Sequence, residues 1–413
     1  MKASRHRIAR RVAHALLARI ADGCLEVYED GSISRFGSPA SDLRARVDVR
    51  DPAAWSQIMR GSVGFAEGYA DGLWESPDPV AVVRLTARNM AGVDRARRRL
   101  HPFLAPIQRL MRMVPRNTRR GARSNVAAHY DLGNTLFEAF LDKTMMYSCA
   151  YFGRPEDTLE EAQVAKLDRI CELLELGPED HLLEIGAGWG GLAIHAAREY
   201  GSRVTTTTIS KEQREYAMAR IANLGLQDLV TVLDRDYRDL EGQFDKLVSI
   251  EMIEAVGWQY FETFFRKCSS LIREDGLMLL QAITIEDELY ELEKASKSFA
   301  NTAVFPGGCL PSERLIGELV ATLTDMTPIW SDDITDHYAE TLRLWRQSFN
   351  DAAPKLEPLG YDDRFQRLWN FYLAFSEGGF RERRVRDLQL LFAKPAYDRA
   401  PGRRSPAGSV AVA

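Results

Sequence analysis

The sequence predicts an α/β chain in which a doubly wound, Rossmann-like domain follows a small α+β domain. Three observations carry that expectation. From residue 160 helical and strand patterns alternate, the mark of a parallel sheet covered on both faces. The stretch His181-Leu-Leu-Glu-Ile-Gly-Ala-Gly-Trp-Gly-Gly-Leu192 reads as a buried strand running into a glycine turn and then a helix. A length of 413 residues exceeds what one core usually holds.

Residues 1 to 23 read as a basic amphipathic helix, with Ile8, Val12, Leu16, Leu17 and Ile20 at helical spacing among Arg5, Arg7, Arg10, Arg11 and Arg19. Both an ordinary packed surface helix and adsorption to anionic lipid fit that pattern. A strand-rich patch spans Leu25 to Val49, broken at Glu29-Asp30-Gly31 and Phe36-Gly37-Ser38-Pro39. Gly61 to Trp74 and a helix from Asp78 to Met90 complete the small domain, expected over residues 1–93.

An arginine-crowded linker is expected over 94–123, a catalytic domain over 124–395 and a disordered tail over 396–413. In the second domain the expected order is helix 160–174, strand 181–185, helix 190–200, strand 203–208, helix 211–223 and strand 229–233. It continues with strand 245–250, helix 258–272 and strand 277–284.

The net charge of −5 conceals a split. Residues 1 to 125 hold 23 Lys/Arg against 12 Asp/Glu, a net of +11, which leaves −16 on the remainder. The basic half fits a polyanionic surface, and without an RNA-binding fingerprint, zinc finger or aromatic-interleaved basic sheet a phospholipid surface is favoured over nucleic acid. Five scattered cysteines without metal-ligand spacing predict reduced thiols and no metal site. No apolar run reaches membrane-spanning length and no hydrophobic signal segment opens the chain, so a cytoplasmic protein is expected.

Ligands of doubly wound sheets bind beyond the carboxyl ends of the strands. At the first such end, Glu184, Gly186, Ala187 and Gly188 suit S-adenosylmethionine better than a dinucleotide, because a carboxylate there would repel a pyrophosphate. At the second, Thr208, Ser210 and Gln213 offer hydroxyl and amide groups at ribose height, and would equally serve as a helix cap. At the third, Asp236 offers a carboxylate for the adenine amino group and Tyr237 a ring for the base.

Several ordered segments resemble the cyclopropane-fatty-acid synthase family. They are Ala128-His-Tyr-Asp-Leu-Gly-Asn134, Tyr147-Ser-Cys-Ala-Tyr151, Leu183-Glu-Ile-Gly-Ala-Gly-Trp-Gly-Gly191, Asp236-Tyr-Arg-Asp239 and Glu251-Met-Ile-Glu-Ala-Val-Gly257. Phe305-Pro-Gly-Gly-Cys-Leu-Pro311 and His337-Tyr-Ala-Glu-Thr-Leu342 extend the match, as does Phe65-Ala-Glu-Gly-Tyr-Ala-Asp-Gly-Leu-Trp74. The resemblance implies a class I methyltransferase that moves a methyl group from S-adenosylmethionine to a cis double bond of a phospholipid acyl chain. It implies work at the inner face of the membrane, as a homodimer, with Tyr147 and Ser148 added to the cofactor site.

An alkene is a weak nucleophile, so such a reaction depends on positioning and on a dry site for the carbocation it forms. The resemblance assigns the deprotonation to a bound bicarbonate ion cradled by Cys149, Glu254, Gln281, Tyr338 and the backbone of Ile283. Gln281 marks a sister branch, since the common enzymes carry histidine there. That branch resembles both cyclopropane-forming enzymes and enzymes making methylene or methyl-branched chains. The expected product is a cyclopropane, and the alternatives are a methylene or methyl-branched chain or a soluble small-molecule acceptor. Phe299, Phe305, Trp345, Trp369, Phe371, Tyr372, Phe375 and Phe380 are candidate tunnel aromatics, Phe305 and Phe380 foremost.

Overall fold

The computed structural model describes residues 2–95, 97–99, 118, 121, 132–294, 296 and 298–398. Most of the expected linker, most of the expected tail and the start of the Ala128–Asn134 motif lie outside them. The chain divides into two compact units, one formed by residues 1–113, 295–304 and 342–384 and the other by 114–294, 305–341 and 385–413.

The first unit holds a four-stranded sheet of order β2-β1-β3-β4, with β1 Cys24–Glu29, β2 Ser32–Gly37, β3 Arg44–Val49 and β4 Trp74–Glu75. Strands β1 and β2 pair antiparallel around the expected turn at Asp30-Gly31, and β1 runs parallel to β3. Asp78 caps the helix Pro79–Arg88 by accepting from the Ala81 amide at 3.1 Å.

This unit is not the contiguous 1–93 segment expected from sequence, because its aromatic core is completed from far downstream. Trp74 is fully buried, stacks on Phe65 at 4.3 Å and meets Phe371 edge-on at 5.9 Å. Phe299 in turn packs against Phe371 and Phe375. Of the candidate tunnel aromatics, Phe299 and Phe371 therefore serve as core, and the half-buried Phe375 packs against them.

The helix Lys2–Leu17 buries its small residues, Ala9 and Ala13. Its larger apolar side chains face outward, with Ile8 61% exposed, Val12 41% and Leu16 53%. Arg7 and Arg11 are exposed beside them. No helix among the described residues is long and apolar enough to cross a membrane.

The second unit is built on a seven-stranded sheet of order β10-β11-β9-β8-β5-β6-β7. Here β5 is His181–Ile185, β6 Arg203–Thr207, β7 Val230–Leu233, β8 Phe244–Ile250, β9 Ile272–Ile285, β10 Thr327–Asp333 and β11 Val385–Ala393. Strands β5 to β9 pair in parallel, and β11 enters antiparallel between β9 and β10. The sheet is buried on both faces. Leu183, Ile185, Leu247, Met278 and Leu280 pack with the helices Phe261–Leu271 and Glu313–Leu323. Leu182, Val204, Val248, Leu277 and Leu279 pack with the helices Leu159–Leu173 and Gly191–Tyr200. This is the period-two alternation a doubly covered sheet requires.

Each element expected between residues 160 and 284 is present, with ends shifted by a few residues. Strand β9 begins earlier than expected, at Ile272. The expected tail also begins too early, since the Ala396 amide donates to the Glu274 carbonyl at 2.8 Å and the Tyr397 hydroxyl donates to Glu175 at 3.1 Å. All five cysteines are buried and free.

Removing the Trp74 ring would leave a cavity lined by Phe65, Tyr69 and Phe371, since packed cores refill only in part. Trp74→Ala is expected to destabilise the protein by roughly 3–5 kcal/mol in urea or thermal unfolding.

Candidate active site

The carboxyl ends of β5, β8 and β9 lie side by side, and the segments leaving them build the site. After β5 the chain turns through Gly186, Ala187 and Gly188, pinned by amides of Gly186 and Ala187 that donate to the Thr207 carbonyl at 3.1 and 2.9 Å. A β-carbon at Gly188 would meet no atom within 4 Å, so the turn faces open space there. A β-carbon at Gly191 would instead come within 2.6 Å of the Met146 sulfur and 2.7 Å of the Thr144 carbonyl oxygen. Glycine at 191 thus lets the segment carrying Tyr147, Ser148 and Cys149 sit against the turn. Arg220 fastens the two pieces, donating to the carbonyls of Thr144 and Trp189, each at 3.0 Å.

Glu184 is buried at the end of β5 and accepts from the Thr206 hydroxyl at 2.5 Å. Burial pushes its carboxyl up to about 8, opposed by the Thr206 bond and by the positive Lys166. Lys166 is itself fully buried and donates to the Ser148 hydroxyl at 2.7 Å. Burial lowers its ammonium pKa, and the charges of Glu251, Cys149, Asp142 and Asp387 oppose that.

Thr208, Ser210 and Gln213 form a cap on the helix Lys211–Asn223. The Ser210 hydroxyl accepts from the Gln213 amide at 3.3 Å, and the Thr208 hydroxyl donates to Gln213 Oε1 at 3.1 Å. The helix would need such a cap in any case.

At the third strand end the expectation requires correction. The Asp236 carboxylate is held by Arg238, with Nε at 2.7 Å and Nη2 at 2.6 Å, so both its oxygens are already paired. Tyr237 lies in the hydrophobic core, edge-on to Phe264 at 5.5 Å, because the short helix Tyr237–Asp239 turns its ring inward. Its buried hydroxyl finds no partner among the described residues.

Next to this half lies a buried carboxyl cluster centred on a residue the sequence reading did not single out. Glu251 follows β8, and its Oε1 accepts from the Cys149 amide and from Gln281 Nε2, each at 2.8 Å. Its Oε2 accepts from the Tyr338 hydroxyl at 2.5 Å. Gln281 Nε2 also donates to Asp387 at 3.0 Å, and Gln281 Oε1 accepts from Gln389 at 3.0 Å across the β9/β11 pair. Arg169 donates to Gln389 Oε1 at 3.0 Å and pairs with Asp332.

Glu254 stands beside this group in the one-turn helix Ile253–Ala255. Its Oε1 accepts from the Ile283 amide at 2.5 Å, while its buried Oε2 has no partner among the described residues. Burial and the neighbouring Glu251 push Glu254 up to about 8. Asp387 is driven well above the usual carboxylate range by burial and by both glutamates. Burial raises Glu251 too, but Tyr338, the Cys149 amide, Lys166 and Gln281 all hold it down. Glu251 is therefore the member best able to stay ionised. The Cys149 thiol is pushed up by burial and serves the cluster through its backbone amide.

Comparison with known proteins gives the family. The family model for mycolic acid cyclopropane synthetase matches residues 117–390. The chain belongs to that family.

The tuberculostearic acid methyltransferase UfaA1 of Mycobacterium tuberculosis is 38% identical over 387 residues, covering 91% of this chain and 87% of that protein. The cyclopropane-fatty-acyl-phospholipid synthase of Escherichia coli is 35% identical over 371 residues, covering 89% and 92%. Among solved structures, the mycolic acid cyclopropane synthase CmaA1 complexed with SAH and CTAB superposes with a TM-score of 0.62 at 32% identity, covering 66% of this chain and 98% of that one. The fold is that of the class I methyltransferases, and this chain is an S-adenosylmethionine-dependent methyltransferase. The open space at Gly188 and the buried carboxylate of Glu184 fit that cofactor.

Bicarbonate does not fit in the same way. The Cys149 amide, Gln281 and Tyr338, which the resemblance assigns to the ion, all donate to Glu251, and the Ile283 amide donates to Glu254. The cradle is closed by the chain's own carboxylates. Glu251 was legible only as the first acid of Glu251-Met-Ile-Glu254, where Glu254 drew the assignment. Asp387, Gln389, Lys166 and Arg169 were missed because each reads as an ordinary surface residue of its strand or helix.

Two predictions follow from this geometry. At Gly188 the backbone φ of +48° makes alanine cost about 1–2 kcal/mol, while its methyl would enter the space expected for the cofactor. Gly188→Ala should lose at least tenfold in S-adenosylmethionine affinity by calorimetry and still unfold cooperatively.

The second concerns pH. Glu184 and Glu254 both titrate near 8 in the folded protein, above their unfolded range, so their stabilisation is full below about pH 4. It is lost as pH rises through about 8. The melting temperature of the cofactor-free protein should fall over that window, and Glu254→Gln should flatten the fall.

Proposed function

We propose that this methyltransferase transfers a methyl group from S-adenosylmethionine to a cis double bond in an unsaturated phospholipid acyl chain at an anionic membrane surface. The observation that carries this reading is the buried carboxyl cluster beside the cofactor turn. A nucleophile such as an amine or hydroxyl, methylated directly, needs at most one base. Three carboxyl groups shut away from water, among amides and a phenol, suit the removal of a carbon-bound proton from a cation that water would quench.

S-adenosylmethionine supplies the electrophilic methyl when bound. The chain's own residues do the rest. The turn at 186–188 and the segment 144–149 position the methyl donor, and the carboxyl cluster accepts the proton. The names of the relatives, which act on fatty acyl and mycolic chains, support an acyl acceptor.

Loss of a proton from the new methyl, with closure onto the cation, gives a cyclopropane. A second reading ends in a methylene branch, reached by a hydride shift along the chain before the proton leaves. It is favoured by the 38% identity over 91% of the chain to a tuberculostearic acid methyltransferase.

A membrane site of action is supported by the helix Lys2–Leu17. Its exposed Ile8, Val12 and Leu16 can enter the headgroup boundary, and each arginine near an anionic surface adds roughly 1 kcal/mol.

The test is methyl incorporation from labelled S-adenosylmethionine into vesicles of dioleoyl phosphatidylglycerol, followed by mass spectrometry of the released fatty acids. Incorporation is expected, and a soluble acceptor used in preference to vesicles would overturn the reading. Mild hydrogenation then separates a methylene branch, which takes up hydrogen, from a ring, which does not. Ile8→Glu with Leu16→Glu should reduce cosedimentation with the vesicles while leaving cofactor binding intact.

A further inference from the structure

We infer that Glu251 is the catalytic base, a carboxylate built into the chain where the family resemblance places a diffusible bicarbonate ion. The inference rests on the acyl-chain methylation proposed above and goes beyond it by naming the proton acceptor.

The first support is the donor set. An ionised carboxylate offers about four acceptor sites. Cys149, Gln281 and Tyr338 fill three of them, two on Oε1 and one on Oε2, and the Asp387 side chain hydrogen-bonds to the same carboxyl group. The same donors fix the carboxylate in one orientation, as a base acting on a carbon-bound proton requires.

The second support is the backbone. Glu251 has φ +47°, a left-handed conformation that is strained for a residue with a β-carbon. It is held there by its own amide, which donates to the Gln281 carbonyl at 2.8 Å. Glycine would occupy this conformation without strain, yet the chain carries a glutamate. Strain of this kind persists where the side chain is needed in one place.

The third support is the division of charge within the cluster. Burial and the neighbouring Glu251 hold Asp387 and Glu254 toward their neutral forms, while Tyr338, the Cys149 amide, Lys166 and Gln281 favour the charge on Glu251.

The step balances. The alkene π pair forms the new carbon–carbon bond as the methyl–sulfur pair returns to sulfur. A lone pair on Glu251 Oε2 then takes a proton from the cation, and the released C–H pair closes the ring or forms the methylene double bond. Glu251 returns its proton to water once the product leaves.

The test uses the full chain with dioleoyl phosphatidylglycerol vesicles and measures S-adenosylhomocysteine release. Wild type in argon-sparged, bicarbonate-free buffer is expected to turn over at the same rate as with added bicarbonate. Glu251→Gly should fold, because the backbone conformation suits glycine, and should bind S-adenosylmethionine with near-wild-type affinity. Its kcat should fall by roughly 10²–10⁴-fold and recover in part when bicarbonate or formate is added. Glu251→Gln should lose as much and recover with neither anion, since its amide fills the space.

Stimulation of wild type by bicarbonate would overturn the inference. So would wild-type turnover by either variant, or a folded, cofactor-binding Glu251→Gly that neither anion rescues. Wild type that releases no S-adenosylhomocysteine in either buffer would instead count against the acyl-chain reading itself.

Discussion

Burying three carboxyl groups together is the constraint that organises this protein. A lone carboxylate taken out of water costs several kcal/mol even after relaxation, and a second beside it costs more. The chain meets that cost with partners drawn from every part of the second unit. The Cys149 amide comes from the segment before the helix Leu159–Leu173, Lys166 from that helix, Gln281 from β9 and Tyr338 from the helix Thr335–Leu356. Each of these bonds adds only modest net stability, because it replaces a bond to water. Their value lies in the desolvation penalty that each paired atom avoids.

The cofactor turn and the carboxyl cluster are joined by one short stretch of chain. Thr144 and Met146 lie against Gly191 at one end of it, and the Cys149 amide holds Glu251 at the other. Ser148, between them, takes a bond from Lys166, whose charge acts on both Glu184 and Glu251. Methyl donor and proton acceptor are thus referred to the same backbone, and a rigid reference of that kind suits a reaction limited by alignment.

The parallel sheet was legible because its signals are local. Strands such as His181-Leu-Leu-Glu-Ile185 are short apolar runs, and the helices between them carry period and caps. The first unit was legible only in part. Its strands announce themselves, but the requirement that Phe371 and Phe375 complete a core around Trp74 is a contact across some three hundred residues, and no local pattern encodes it. The site divides in the same way. Cys149, Gln281, Ile283, Tyr338 and Glu254 were placed by resemblance, and the structure gathers them. Glu251 could not be told from Glu254 three positions on, because only φ and hydrogen-bond partners separate them. Asp236 and Tyr237 read as ligand-facing since sequence does not reveal that Arg238 claims the one and the core the other.

The row running from Arg169 through Gln389 to Gln281 carries one further meaning. An amide is a two-ended object, and nothing in glutamine itself decides which end meets a neighbour. Arginine can only give hydrogen bonds, so Gln389 must turn its oxygen to Arg169 and its nitrogen to Gln281. Gln281 must then offer its own nitrogen to Glu251 and Asp387. Direction is set at a guanidinium, which has five donors and no acceptor. A histidine in the same row could reverse its sense by exchanging tautomers or taking up a proton. Two glutamines wired to an arginine fix the sense of the whole row, and the carboxylates at its end meet a donor.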